Sequence, residues 1–155
     1  YAKEVFVQIS TKFTIAVHLL TAVAYFSESQ KVTSDFLAGS IGSNPVIIRN
    51  IMGQLKEAGL IDIKRGPGGV TLEKKLTDIS FLDIYKAVET NSEEVLFRFH
   101  ENPNPLCPIG RTIHKSLDGA LEEIQKNFEV ELSKWTLADV YENSLEELRK
   151  EKQNE

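Results

Sequence analysis

Cysteine is almost absent from this 155-residue chain: Cys107 stands beside three histidines, one tryptophan and one methionine. Any thiol or metal chemistry has to start from a single sulfur. Long apolar runs are missing too. No stretch approaches the roughly 20 consecutive apolar residues that cross a bilayer, and no charged–apolar–small leader is visible, so a cytoplasmic protein without membrane partners is expected. There is no internal repeat and no low-complexity segment. Positive charge is not in excess: 18 basic against 23 acidic residues give a net −5, which argues against a protein that coats nucleic acid indiscriminately. The 41% hydrophobic content suffices for a core, and the length suits one domain of ordinary size with an appendage.

Residues 33–72 organise the rest. Asn44-Pro45 is a helix start, because Asn caps open backbone N–H groups and Pro fits the first turn, where no N–H is needed. The predicted helix runs over 45–58 and stops at Gly59. At 100° per residue Ile48, Ile51, Met52 and Leu55 share one face, with Val46, Asn50, Gly53 and Glu57 opposite and Arg49 and Gln54 on the flanks. A small, mixed, amide-bearing outer face suits a major groove: amides pair with adenine, arginine with guanine or phosphate, apolar groups with the thymine methyl. Residues 33–41 predict a short amphipathic helix, and Gly42-Ser43 the turn after it. Ala38, Gly42, Ile48 and Ile51 have the spacing of a tight helix-turn-helix, in which a small residue permits close crossing and branched residues fill the angle.

Two short β-branched runs, 60–64 and 70–74, flank Arg65-Gly66-Pro67-Gly68-Gly69, a sequence that closes hairpins. Such a hairpin is the wing of a winged helix, with Lys64, Arg65, Lys74 and Lys75 near backbone phosphates. The glycines do not make a nucleotide loop, since no Gly-Lys-Ser/Thr follows and no helix opens there. Charge supports the division: residues 44–75 hold six basic against three acidic residues, while residues 118–155 hold five against eleven. The candidate DNA contacts are Ser43, Asn44, Pro45, Val46, Arg49, Asn50, Lys56, Lys64, Arg65, Gly68 and Gly69, with Arg49, Asn50 and Arg65 foremost.

Elsewhere the pattern is helical. Residues 11–26 carry Ile15, Leu19, Leu20 and Val23 at core spacing, and His18 among them reads as a satisfied or partly exposed side chain. Ser80 to Asp83 is a capping-box start for a helix reaching about residue 89. Residues 95–99 suit a short helix or strand, and 101–105 a loop. Then Ile109, Ile113, Leu117, Leu121, Ile124, Phe128 and Leu132 recur every three or four residues along a helix of about 26 residues, roughly 39 Å. A continuous stripe on so long a helix is read as a dimerisation element; folding back on its own domain is the alternative. Thr136 to Asp139 restarts a helix expected to pack near the long one, and the charged end from Arg149 is expected to fray. The expected architecture is mainly α with a small β-hairpin. It places a winged helix-turn-helix over 10–89 and a linker, long helix and C-terminal helix over 90–148.

The segments from Ser43-Asn44-Pro45 to Ala58-Gly59-Leu60-Ile61, from Lys64 to Val70, and Ile79-Ser80-Phe81-Leu82-Asp83-Ile84-Tyr85-Lys86-Ala87-Val88-Glu89 together resemble the Rrf-two (Rrf2) family of bacterial winged-helix regulators. The likeness covers nearly the whole chain. It implies a homodimeric transcription regulator, usually a repressor, with recognition helix and wing on double-stranded DNA and the long helix crossing its partner. Many members of that family hold an iron–sulfur cluster through three cysteines before the long helix. This chain has only Cys107 there, and one thiolate cannot hold a cluster that normally takes about four protein ligands. No cofactor is expected, although His100 and His114 lie nearby in sequence. Pro108 after Cys107 predicts a thiol near the start of the long helix with Arg111 one turn on, a setting that favours thiolate and makes Cys107 a candidate redox sensor. A free, structurally inert cysteine is the leading reading, and the sensor the hypothesis beside it. Two other functions stay open: a winged helix that binds protein, and an enzyme with Cys107 as nucleophile and His100 or His114 as base, for which no orienting partner is evident.

Overall fold

The computed structural model describes residues 10–89, 96–97 and 99–154. Helix α1 (Thr11–Phe26) is followed by α2 (Ser34–Ile41), α3 (Pro45–Glu57), strands β1 (Ile61–Lys64) and β2 (Gly69–Leu72), then α4 (Phe81–Val88), α5 (Ile113–Ser133) and α6 (Leu137–Gln153). Short 3-10 turns occupy Gly66–Gly68 and Leu76–Asp78. The expectation for residues 95–99 falls largely outside the described residues. No described helix is long and apolar enough to cross a membrane.

Local chemistry sets most of the boundaries. The Phe36 N–H donates to Thr33 Oγ1 at 3.1 Å and opens α2, while Gly42, at φ 72°, ends it in the left-handed conformation that glycine adopts without a steric penalty. Asn44 Oδ1 accepts from the Val46 N–H at 2.8 Å, with Pro45 in the first turn of α3. Ser80 and Asp83 exchange side-chain and backbone hydrogen bonds at 3.0 Å each, a capping box that starts α4. Thr136 and Asp139 repeat the device at α6.

Strands β1 and β2 pair antiparallel, with Ile61 opposite Leu72 and Lys64 opposite Gly69. The wing is anchored at its base, where the Val70 N–H donates to Val32 O at 2.9 Å. A Cβ on Gly69 would lie 2.7 Å from that same carbonyl oxygen, and Gly69 holds φ 62°. Glycine is required there for close backbone approach.

One core serves these elements. Leu19, Leu20 and Val23 of α1, Leu37 of α2, Ile48, Ile51 and Leu55 of α3, Leu60 and Ile61 at the wing, and Ile79 and Ile84 around α4 are all buried. Removing each such side chain from water stabilises by about 1.5–3 kcal/mol. Leu137, the first residue of α6, lies in the same core. It is placed there by backbone bonds from Phe81 N to Trp135 O (2.9 Å) and from Leu137 N to Ile79 O (2.8 Å).

Three expectations are corrected. Helix α5 starts at Ile113 and has 21 residues, because residues 104–112 form a turn in which Gly110 sits so close that a Cβ would lie 2.5 Å from Asn104 O. Ile109 therefore precedes the helix and is 69% exposed. Helix α6 packs on α1 rather than beside α5, since its first residue belongs to the core. Its charged end stays helical to Gln153, where Lys150 lies 3.6 Å from Glu146 and 3.0 Å from Glu147, one turn back.

Candidate nucleic-acid interface

Helix α3 has one face committed to the core and one face open. Ile48, Ile51, Met52 and Leu55 are buried, as the periodicity requires, and Val46, Arg49, Asn50, Gly53, Lys56 and Glu57 are exposed. Ser43 is half-buried in the turn, and Asn44 and Pro45 are exposed at the helix start. Asn44 already uses its Oδ1 as the cap, so its carbonyl side is engaged in holding α3 in place. Arg49 Nη2 lies 3.9 Å from Asp35 Oδ1, both side chains well exposed. So loose and solvated a pair is worth little and leaves the guanidinium available to a stronger anion. Gln54 turns the other way, its Nε2 reaching Val88 O of α4 at 3.5 Å.

Sequence reasoning missed Ile47. The helical wheel puts it at the margin of the apolar face, where it reads as core edge, yet it is 44% exposed beside Val46 at 57%. The open face thus carries two branched apolar side chains, a guanidinium and an amide, the functional groups that read base edges and the thymine methyl.

At the wing, Lys64, Arg65 and Gly68 are exposed, and Lys74 and Lys75 follow β2 into solvent. Gly69, expected among the DNA contacts, is instead buried against Val32 and seats the hairpin. Lys31 Cγ lies within 3.0 Å of the position a Gly69 Cβ would take, which brings a further exposed cation to the wing base. Only the fold joins Lys31 to the wing; nothing in the linear sequence signals it.

Helix α5 contributes a different surface. Phe128 packs edge-on against Tyr85 of α4 with ring centroids 5.4 Å apart, and Gln125 Oε1 accepts from the Leu96 N–H at 2.8 Å. Ile113, Leu121, Phe128 and Leu132 are half-buried, while Leu117 is 37% and Ile124 46% exposed. No residue of α5 is fully buried.

Cys107 is exposed and lies six residues before α5. Its N–H donates to Asn104 O and its carbonyl accepts from the Arg111 N–H, within the turn that precedes the helix. Cys107 thus sits in the turn ahead of the long helix and not in the helix's first turn. His100 and His114 face each other at 5.2 Å between centroids, with Phe99 against His114 at 4.5 Å. This is an aromatic packing cluster.

With this geometry in place, comparisons with known proteins agree. Residues 9–143 match the family model Rrf2, described as "Iron-dependent Transcriptional regulator". A Bacillus subtilis (strain 168) protein provisionally named HTH-type transcriptional regulator YwnA is 38% identical over 132 residues, covering 85% of this chain and 96% of that protein. A crystal structure provisionally titled as a DNA-binding protein is similar with TM-score 0.65 and 31% identity, over 83% of this chain and 97% of the other. A Lactobacillus plantarum protein, provisionally titled a transcriptional regulator, is similar with TM-score 0.73 and 25% identity, over 95% and 100% of the two chains.

Proposed function

The chain belongs to the Rrf2 family of transcriptional regulators, and on that footing we propose that it reads DNA as a homodimer bound to a near-palindromic site. The observation that carries the reading is the open face of α3, where Val46, Ile47, Arg49 and Asn50 are all exposed. A helix of this kind enters the major groove, and the wing cations Lys64 and Arg65 meet the flanking backbone or minor groove. The outer edge of the α5 stripe supports the dimer, because Leu117 and Ile124 remain 37% and 46% exposed and a two-fold axis would bury them against their copies.

The family description names iron, and the donor set of this chain does not fit an iron–sulfur cluster. Cys107 is its single cysteine, and among the described residues no three His, Cys, Asp or Glu side chains gather into a metal-binding group. Our reading of its regulation therefore contains no cluster.

Selection of bound sequences from a random duplex library tests the proposal. A two-fold symmetric site is expected, with affinity falling steeply as salt rises because phosphate contacts release counterions. Asn50→Ala should flatten the base preference, whereas Arg65→Ala should weaken all sites and lower the salt slope by about 0.9 for each phosphate it no longer neutralises. Recovery of no symmetric site under reducing, low-salt conditions would favour a winged helix that binds protein.

A further inference from the structure

A cleft of about 680 Å³ opens between α1, α2 and α6, away from both the reader face and the α5 stripe. Its walls are mostly apolar: Val17, Ala22 and Phe26 from α1 face Val140 and Leu148 from α6. Among the described residues no carboxylate, ammonium or guanidinium lines it. Thr14 and Thr21 line it with hydroxyls already donated to Thr11 O and Val17 O, and Tyr25 adds an exposed phenol. His18 Nε2 and Ser40 Oγ form a hydrogen bond 3.1 Å long that ties α1 to α2. On the α6 wall the Tyr141 and Ser144 hydroxyls line the cleft and have no partner among the described residues.

Apolar walls with a few convergent hydrogen-bonding groups, in a volume between about 300 and 1,000 Å³, are the usual composition of a small-molecule site. The chemistry of the lining selects the ligand. A charged compound would lose its hydration and find no counter-charge, whereas an uncharged one would bury its carbon skeleton and satisfy the hydroxyls. We propose that this cleft binds an uncharged, mainly aromatic or aliphatic small molecule carrying a hydroxyl or carbonyl group, held between His18–Ser40 and Tyr141–Ser144. Such a ligand spans the first helix of the reader pair and the C-terminal helix.

The test uses the full chain and a neutral apolar fluorophore, N-phenyl-1-naphthylamine, and needs no DNA. Saturable enhancement of its emission with one probe per chain is expected, and loss of that enhancement in Ser144→Trp, which fills the cleft from the α6 side. A second measurement on the unsubstituted protein guards against a variant that fails to fold. Methyl resonances of Val17, Val140 and Leu148 should shift on adding the probe, with those of Leu117 and Ile124 on α5 unmoved. No saturable enhancement, equal enhancement in a folded Ser144→Trp protein, or shifts centred on α5 would each overturn the proposal.

Discussion

Helices α3 and α5 both carry an apolar stripe, and only one of them buries it. In 13 residues α3 places four side chains in the core; in 21 residues α5 places none. The same periodicity therefore has two outcomes, decided by what stands opposite. Helix α3 meets α2, α4 and the wing strand β1, so its stripe is satisfied within the chain. Among the described elements α5 packs chiefly on α4, and Leu117 and Ile124 on its outer edge stay exposed.

This contrast can be broken at several points. The severest is Leu137→Ala, which removes a fully buried side chain and should cost about 2–5 kcal/mol. Chemical denaturation measures it, and a near-neutral result would mean that α6 is not part of the core. Next comes Gly69→Ala: a Cβ would press on Val32 O at a positive φ, for an expected loss of about 1–3 kcal/mol by overpacking and strain. Ser80→Ala, which breaks the capping box of α4, should cost about 1 kcal/mol. The smallest effect on folding belongs to α5. The double substitution Leu117→Glu with Ile124→Glu should leave the circular dichroism and the fold intact, yet break the proposed dimer, so that this variant sediments as a monomer and the unsubstituted chain is expected to sediment as a dimer. Loss of helicity would show that the stripe serves the chain's own fold, and an unaltered dimer would move the interface elsewhere.

The caps at Thr33, Asn44, Ser80 and Thr136 are legible in the sequence because capping is a matter of three or four adjacent residues. The core face of α3 is legible for the same reason, as are the bounds of α1. What stays hidden depends on residues that meet only after folding. A stripe reveals that a face is apolar and says nothing of its partner, so the linear pattern points α6 toward α5 when it packs on α1. The start of α5 is hidden because Ile109 keeps the period although the close approach of Gly110 to Asn104 holds it in a turn. In the candidate site, Arg49, Asn50, Lys64 and Arg65 follow from residue type and position. Gly69 reads as a DNA contact in the sequence because the close approach of Val32 to it exists only in the folded chain, and Ile47 escapes notice because its wheel position is marginal.

The antiparallel bridge between Ser80 and Thr136 also sets an order of events during synthesis. The chain leaves the ribosome N-terminus first, and the core lacks Leu137 until that residue has emerged. By then every residue of α5 is already outside. Contacts so distant in sequence form more slowly than local ones, so the seal at Ser80 and Thr136 follows the local helices. The core therefore closes last at Leu137, after the reader unit and α5 have both emerged.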